Sequence, residues 1–184
     1  MVKAYEKVRP LIKSGDAITW RGKGFVSWAI SFWSYRTHAS LVVRPPDYEQ
    51  FKDRRFLLEA WEGEVNLRFL SYRIDEYDGQ AWWHQLKPEL EPFREAIGRY
   101  AISQLGKKYD YTSLFANMFG RVSADTRKYF CSELVGDVYR KTIPNKIWIT
   151  IPPNEAVGRL LRGLALRPGG IASLPIYKPE VRIL

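Results

Sequence analysis

One cysteine, Cys131, and two histidines, His38 and His84, supply the thiol and imidazole groups from which this chain could build a nucleophile and its base. Cys131 stands in Tyr129-Phe130-Cys131-Ser132-Glu133-Leu134-Val135, and Leu134, Val135, Val138 and Tyr139 recur at helical spacing. The spacing predicts a helix that opens near Cys131. Unpaired amides and the dipole at a helix start favour a thiolate over a thiol, the setting that a nucleophile needs. Cys131 also lies one turn before Leu134 and Val135, so it shares the face that packs inward. The competing reading is a buried structural cysteine, since free cysteines are so often found in cores.

His38 leads the run His38-Ala39-Ser40-Leu41-Val42-Val43, at a strand start where a side chain can border a cleft. His84 is flanked by bulky neighbours in Trp82-Trp83-His84-Gln85 and has no acidic residue near it in sequence. His38 is therefore the preferred base, against the plainer reading of an ordinary hydrogen-bonded histidine. An imidazole base needs a third group that fixes its tautomer and orientation. In Phe56-Leu57-Leu58-Glu59-Ala60-Trp61, strand alternation puts Glu59 on one face with Leu57 and Trp61, and Phe56, Leu58 and Ala60 on the other. A buried acid without a partner is costly, which makes His38 on the preceding strand its nearest candidate. A carboxylate at a strand end beside Glu62-Gly63-Glu64, pointing to water, is the alternative.

These side chains need a sheet and helices to hold them. The pattern predicts strands over Asp16–Trp20, Ala39–Val43, Arg55–Trp61 and Ala81–Leu86, with stops at Pro45-Pro46 and Gly63. It predicts helices over Phe25–Tyr35, over Glu91–Leu105 with closure at Gly106, and from Cys131 onward. Beyond Pro152 a helix is followed by an irregular tail that could join a sheet edge. Strands early and helices late argue for an α+β fold, an antiparallel sheet packed on one side by helices.

The chain of 184 residues fits one domain, residues 1–184, and 15% aromatic content gives it ample surface to bury. The lone cysteine excludes an internal disulfide, and no zinc-ligand spacing occurs; no metal or organic cofactor is expected. The longest apolar-rich stretch, Gly24–Trp33, is shorter than the roughly 20 residues of a membrane span, and no signal-peptide run opens the chain, so the expected location is cytoplasmic. A net charge of +9 favours anionic partners such as an acidic cell-wall polymer or a membrane surface. A basic nucleic-acid-binding module is the rival from another class, but the charges are dispersed and no nucleic-acid motif occurs. Phe25, Trp28, Phe32 and Trp33 read as a core stripe, with a lipid-facing surface as the alternative.

Five segments in order, Ser14-Gly15-Asp16-Ala17-Ile18, Thr37-His38-Ala39-Ser40-Leu41-Val42-Val43, Leu58-Glu59-Ala60, Gly106-Lys107-Lys108-Tyr109-Asp110 and Phe130-Cys131-Ser132-Glu133-Leu134-Val135, resemble the permuted NlpC/P60 papain-like cysteine hydrolases, the YiiX/YebB-like and LRAT-related branch. The resemblance spans residues 14–140, and its His-before-Cys order is that of the permuted branch. It implies a papain-like fold of circularly permuted order, with Cys131 as nucleophile, His38 as base, Glu59 as the residue orienting that base, and Tyr109 as a substrate-binding residue. It implies acyl transfer without a cofactor on a peptide or acyl-bearing small substrate. Amide bonds of cell-wall-type peptides are the leading class and lipid acyl groups, as in the LRAT-like branch, the second. Ordinary members carry Asp before the cysteine, whereas this chain has Phe130, which implies a pocket less suited to a free amino group.

Overall fold

The structure, a computed structural model, describes residues 4–23, 35–45, 51, 53–61, 64–108 and 126–184. Six strands form one sheet: β1 (Ala17–Gly22), β2 (His38–Val43), β3 (Phe56–Trp61), β4 (Glu64–Phe69), β5 (Gly79–His84) and β6 (Val181–Arg182). Their spatial order is β4-β3-β2-β1-β5-β6, and every pairing is antiparallel. The expected α+β class and antiparallel sheet are observed.

Alternation along each strand sorts side chains onto two faces. Ala17, Ala39, Leu41, Leu58 and Ala60 share one apolar cluster with Leu134, Val135, Val138 and Tyr139. These last four lie on the long helix Thr126–Thr142, the stripe expected from their spacing. Ile18, Trp20, Val42 and Leu57 form a second cluster with Tyr5, Leu70, Ile74 and Ile183. Both faces are thus covered, rather than the single face expected. Helices α1 (Ala4–Val8) and α2 (Leu70–Glu76) contribute to the second layer. On the first face α3 (Arg94–Ile102) packs beside the long helix, here α4. Three short helices complete the chain: α5 (Asn145–Trp148), α6 (Glu155–Leu161) and α7 (Pro168–Ala172).

Several boundaries differ from expectation. The helix predicted over Glu91–Leu105 is split into a 3-10 turn, Pro88–Phe93, and α3. Pro92 lacks the amide that an α-helix would use there. A turn follows α3 to Gly106, whose φ of 71° suits a helix end, and Gly106 N–H donates to Val65 O at 3.0 Å. The tail beyond Pro152 does reach a sheet edge, because β6 pairs with β5. Residues 25–34 of the predicted helix, Tyr109 and the side chain of Phe130 lie outside the described residues. No described helix is long and apolar enough to cross a membrane.

The Ser14-Gly15-Asp16 turn joins the layers. Gly15 takes φ 86°, and a Cβ there would come within 3.0 Å of Leu86 Cδ1, so both conformation and space call for glycine. Asp16, fully buried, accepts hydrogen bonds from Lys13 N (3.0 Å), Trp83 Nε1 (2.8 Å), Leu86 N (3.0 Å) and Arg94 Nη1 (2.8 Å). Tyr139 Oη on α4 donates to Gly15 O at 2.7 Å. Removal of the carboxylate in Asp16→Ala leaves Arg94 with Glu91 and the Ser14 carbonyl but takes the partner from three further donors, and is expected to cost ~3 to 5 kcal/mol in urea-unfolding free energy. Lys13→Ala, which breaks only the exposed pair with Glu91, should cost under about 1 kcal/mol. Equal losses in the two variants would contradict this reading of Asp16.

Candidate active site

The β1–β2 register pairs Trp20 with His38 and Ala17 with Leu41. The β2–β3 register pairs Leu41 with Leu58 and Val42 with Leu57. One further step places Ser40 opposite Glu59, with His38 on the diagonal, within reach of a carboxylate. His38 Nε2 lies 2.8 Å from Glu59 Oε1, and Ser40 Oγ donates to the same oxygen at 2.6 Å. Trp20 Nε1 donates in turn to Ser40 Oγ at 2.8 Å. Glu59 is fully buried, on the face that also carries Leu57, and does not point to water.

Cys131 completes the group. It is 1% exposed and hydrogen-bonds the His38 side chain. Glu59 occupies Nε2 of that ring, which leaves Nδ1 as the nitrogen available to the sulfur. The histidine therefore joins the lone thiol to a buried carboxylate. His38 is the member of the three that reaches the surface, with 12% of its side chain exposed.

The helix that carries Cys131 begins earlier than its sequence spacing suggests. It starts at Thr126, so Cys131 falls in the second turn. The unpaired amides and the strongest effect of the dipole belong to the first turn. Activation of the sulfur by a helix start is thus not what this geometry provides, and among the described residues the imidazole of His38 is the charged group hydrogen-bonded to it.

Burial opposes charge on His38, but Cys131 and then Glu59 outweigh it and raise the imidazole to about 10. Burial likewise works against ionised Glu59, yet attraction and hydrogen bonding from His38, the Ser40 bond and the field of Arg73 hold it down at about 2. A charged imidazolium held against the buried Glu59 carboxylate is the arrangement these directions describe. Ser40, Trp20 and Arg73 were not singled out from the sequence. Ser40 was within reach of the pattern: it is a hydroxyl two residues after His38, on the same strand face, in an otherwise apolar run.

His84 has another role. Its Nε2 lies 2.8 Å from Thr19 Oγ1, and burial together with the positive charge of Arg36 lowers its pKa to about 3, which keeps it neutral. A cavity of about 190 Å³ runs along α4 at Glu133, Asp137 and Arg140, and touches none of Cys131, His38 and Glu59.

No family model matches this chain, and no curated protein matches it. Among solved structures, the crystal structure of the metalloprotein YiiX from Escherichia coli O157:H7, DUF1105, aligns with 92% of this chain and 96% of its own, at a TM-score of 0.61 and 19% identity. The chain shares the YiiX fold. Among the described residues no group of three or more His, Cys, Asp or Glu side chains could hold a metal ion. The metal in the name of YiiX thus finds no donor set among them.

The charge pair predicts how stability varies with pH. Glu59 falls from 4.5 to about 2 on folding, so its contribution is present above 4.5 and is lost as pH drops through about 2. His38 rises from 6.5 to about 10, so its contribution is full below 6.5 and is lost as pH climbs through about 10. The stability difference between wild type and Glu59→Gln, followed by urea unfolding across pH, should therefore be greatest between 4.5 and 6.5. A difference that does not vary with pH would count against an ionised pair.

Proposed function

We propose that this protein is a cysteine-dependent hydrolase of amide bonds, with Cys131 as nucleophile, His38 as acid and base, and Glu59 as the residue that orients His38. The observation that carries the reading is the buried line Cys131–His38–Glu59, held by Ser40 and Trp20. A structural histidine has no need of a thiol on one side and a fully buried carboxylate on the other.

The Cys131 thiolate attacks the substrate carbonyl carbon, and a carbon–sulfur bond forms. The tetrahedral intermediate collapses as the carbon–nitrogen bond breaks, and His38 gives its proton to the departing amine. A water molecule, deprotonated by His38, then attacks the thioester. The acid leaves as the carbon–sulfur bond breaks, the sulfur departs as the thiolate, and His38 keeps the proton taken from water, which restores the starting pair. Glu59 fixes the imidazole through Nε2, and its charge stabilises the imidazolium on which both halves depend. Ser40 and Arg73 share the carboxylate's charge and keep it ionised at the pH where the histidine works.

The proposed substrates are cell-wall-type peptides, the class implied by the family resemblance of the His38 and Cys131 segments. The net charge of +9 suits such a substrate if it is anionic. Tyr109 is assigned to substrate binding on the same resemblance.

Treatment with iodoacetamide across pH, with the adduct located by mass spectrometry, tests the thiol. Wild type should alkylate at Cys131 at neutral pH and below, whereas His38→Ala should react only as an ordinary thiol does, above about pH 8. Glu59→Gln keeps the shape but not the charge, and should slow labelling at neutral pH by about tenfold or more. Identical pH profiles for wild type and His38→Ala would sink the catalytic reading. Turnover of acyl esters or phospholipids without any turnover of peptide amides would move the substrate to the lipid class.

A further inference from the structure

A second group of side chains stands at the same end of the sheet as His38. Arg36 precedes His38 by two residues and is 7% exposed in its side chain. Its Nη2 donates to both carboxylate oxygens of Glu180, at 2.7 and 2.8 Å. The guanidinium carbon lies 3.2 Å from the centre of the Trp82 ring and 5.0 Å from that of Tyr35. Arg36 Nη1 is buried and has no hydrogen-bond partner. A buried donor left unmatched costs free energy, and a guanidinium presents its donors in a rigid fork suited to carboxylates.

The neighbours add positive charge. The Arg21 guanidinium carbon lies 4.1 Å from the same Tyr35 ring, and Arg21 has no acidic partner among the described residues. Two guanidiniums thus share one aromatic ring with a single carboxylate, Glu180. His84, 3.7 Å from Glu180 Oε2, is neutral and changes nothing in that balance. Thr37 N–H donates to Trp20 O at 2.7 Å, and Thr37 Oγ1 accepts from Gly22 N at 3.2 Å, which ties the Arg36 backbone to the end of β1. Register pairs Trp82 with Thr19, and Thr19 with Ala39, on the face covered by α4.

We propose that Arg36 and Arg21 form an anion subsite that takes a carboxylate of the substrate, reached when the half-exposed Tyr35 ring swings aside. This rests on the hydrolase reading of Cys131. Trp82 on β5 stands two strands from Ala39, which adjoins His38 on β2, a backbone span of roughly 10 Å, or about three residues of extended peptide. The substrate is therefore a peptide with a carboxylate two to three residues from the bond that is cut. Such spacing makes the subsite a specificity determinant rather than part of the chemistry.

The test compares two chloromethyl ketones on the full chain, N-succinyl-dialanyl and N-acetyl-dialanyl, which differ by one carboxylate at that reach. In each, the Cys131 sulfur displaces chloride, and labelling is read by mass spectrometry. Wild type should react faster with the succinyl reagent, and the ratio of the two rates should fall about tenfold in Arg21→Gln and in Arg36→Lys. Thermal unfolding of each variant shows whether it is folded, and Arg21→Gln, which breaks no ion pair among the described residues, serves if Arg36→Lys is not. An unchanged ratio in folded Arg21→Gln overturns the subsite. Should neither reagent label Cys131, the hydrolase reading fails, and the subsite is then read separately. In Cys131→Ala protein, tryptophan fluorescence should report binding of N-succinyl-dialanine amide in preference to its N-acetyl counterpart, with the preference lost in Arg21→Gln. Equal binding of the two amides overturns it, as does tighter binding of glycerol phosphate, which would assign the site to a lipid headgroup.

Discussion

The buried carboxylate of Asp16 is the contact through which the layers of this fold are brought into register. It stands at the foot of β1, where the chain has just turned at Gly15, and its two oxygens gather donors from the turn, from β5 and the second residue after it, and from α3. A charge enclosed in this way is stable only if every lone pair is met, so the positions of Lys13, Trp83, Leu86 and Arg94 are set together. The same turn presents Gly15 O to Tyr139 on α4, and Tyr177 donates to Tyr139 in turn. The helix that carries Cys131 is therefore referenced to the start of β1, and β1 is in register with β2, which carries His38. The thiol and the imidazole meet because both are measured from one turn.

Glu59 is the second buried carboxylate, and its surroundings differ in kind. Asp16 is matched by a guanidinium that does not titrate in the working range. Glu59 is matched mainly by a histidine, whose charge is itself conditional on Glu59 and Cys131. A pair of that sort is adjustable, and an adjustable pair is of use for proton transfer rather than for stability alone. Its support comes from the opposite layer: Trp20 fixes the Ser40 hydroxyl, and Arg73 on α2 lies 5.6 Å from the Trp20 ring and 5.0 Å from that of Tyr77. The thin layer of α1 and α2 thus does more than cover apolar strands; it keeps a positive field behind the carboxylate.

How much of this could be read from the sequence depends on how local the signal is. Glu59 was legible because strand alternation alone puts it among apolar side chains, and the same reasoning would have reached Ser40. The Leu134, Val135, Val138 and Tyr139 stripe was legible as a helix face, but its beginning was not. A helix start is read from caps, and the polar residues that precede Cys131 offer no single one, so the boundary the pattern offers is the apolar stripe while the backbone coils from Thr126. Strand β4, Glu-Val-Asn-Leu-Arg-Phe, went unread because it is an edge strand with charges on one side, and α2 because it follows without a cap. The Asp16 hub is invisible for a different reason: three of its four donors lie 67 to 78 residues away, and no local pattern encodes a contact of that range.

The displaced helix start changes what surrounds the thiol. With Cys131 at the first turn, the backbone would supply a positive field whatever the protonation of its neighbours. In the second turn that field has faded, and the sulfur is enclosed with the His38 side chain hydrogen-bonded to it. The histidine's charge is favoured by Glu59, and Glu59 is held ionised by the histidine and by Ser40. Loss of the carboxylate therefore weakens the imidazolium that faces the sulfur.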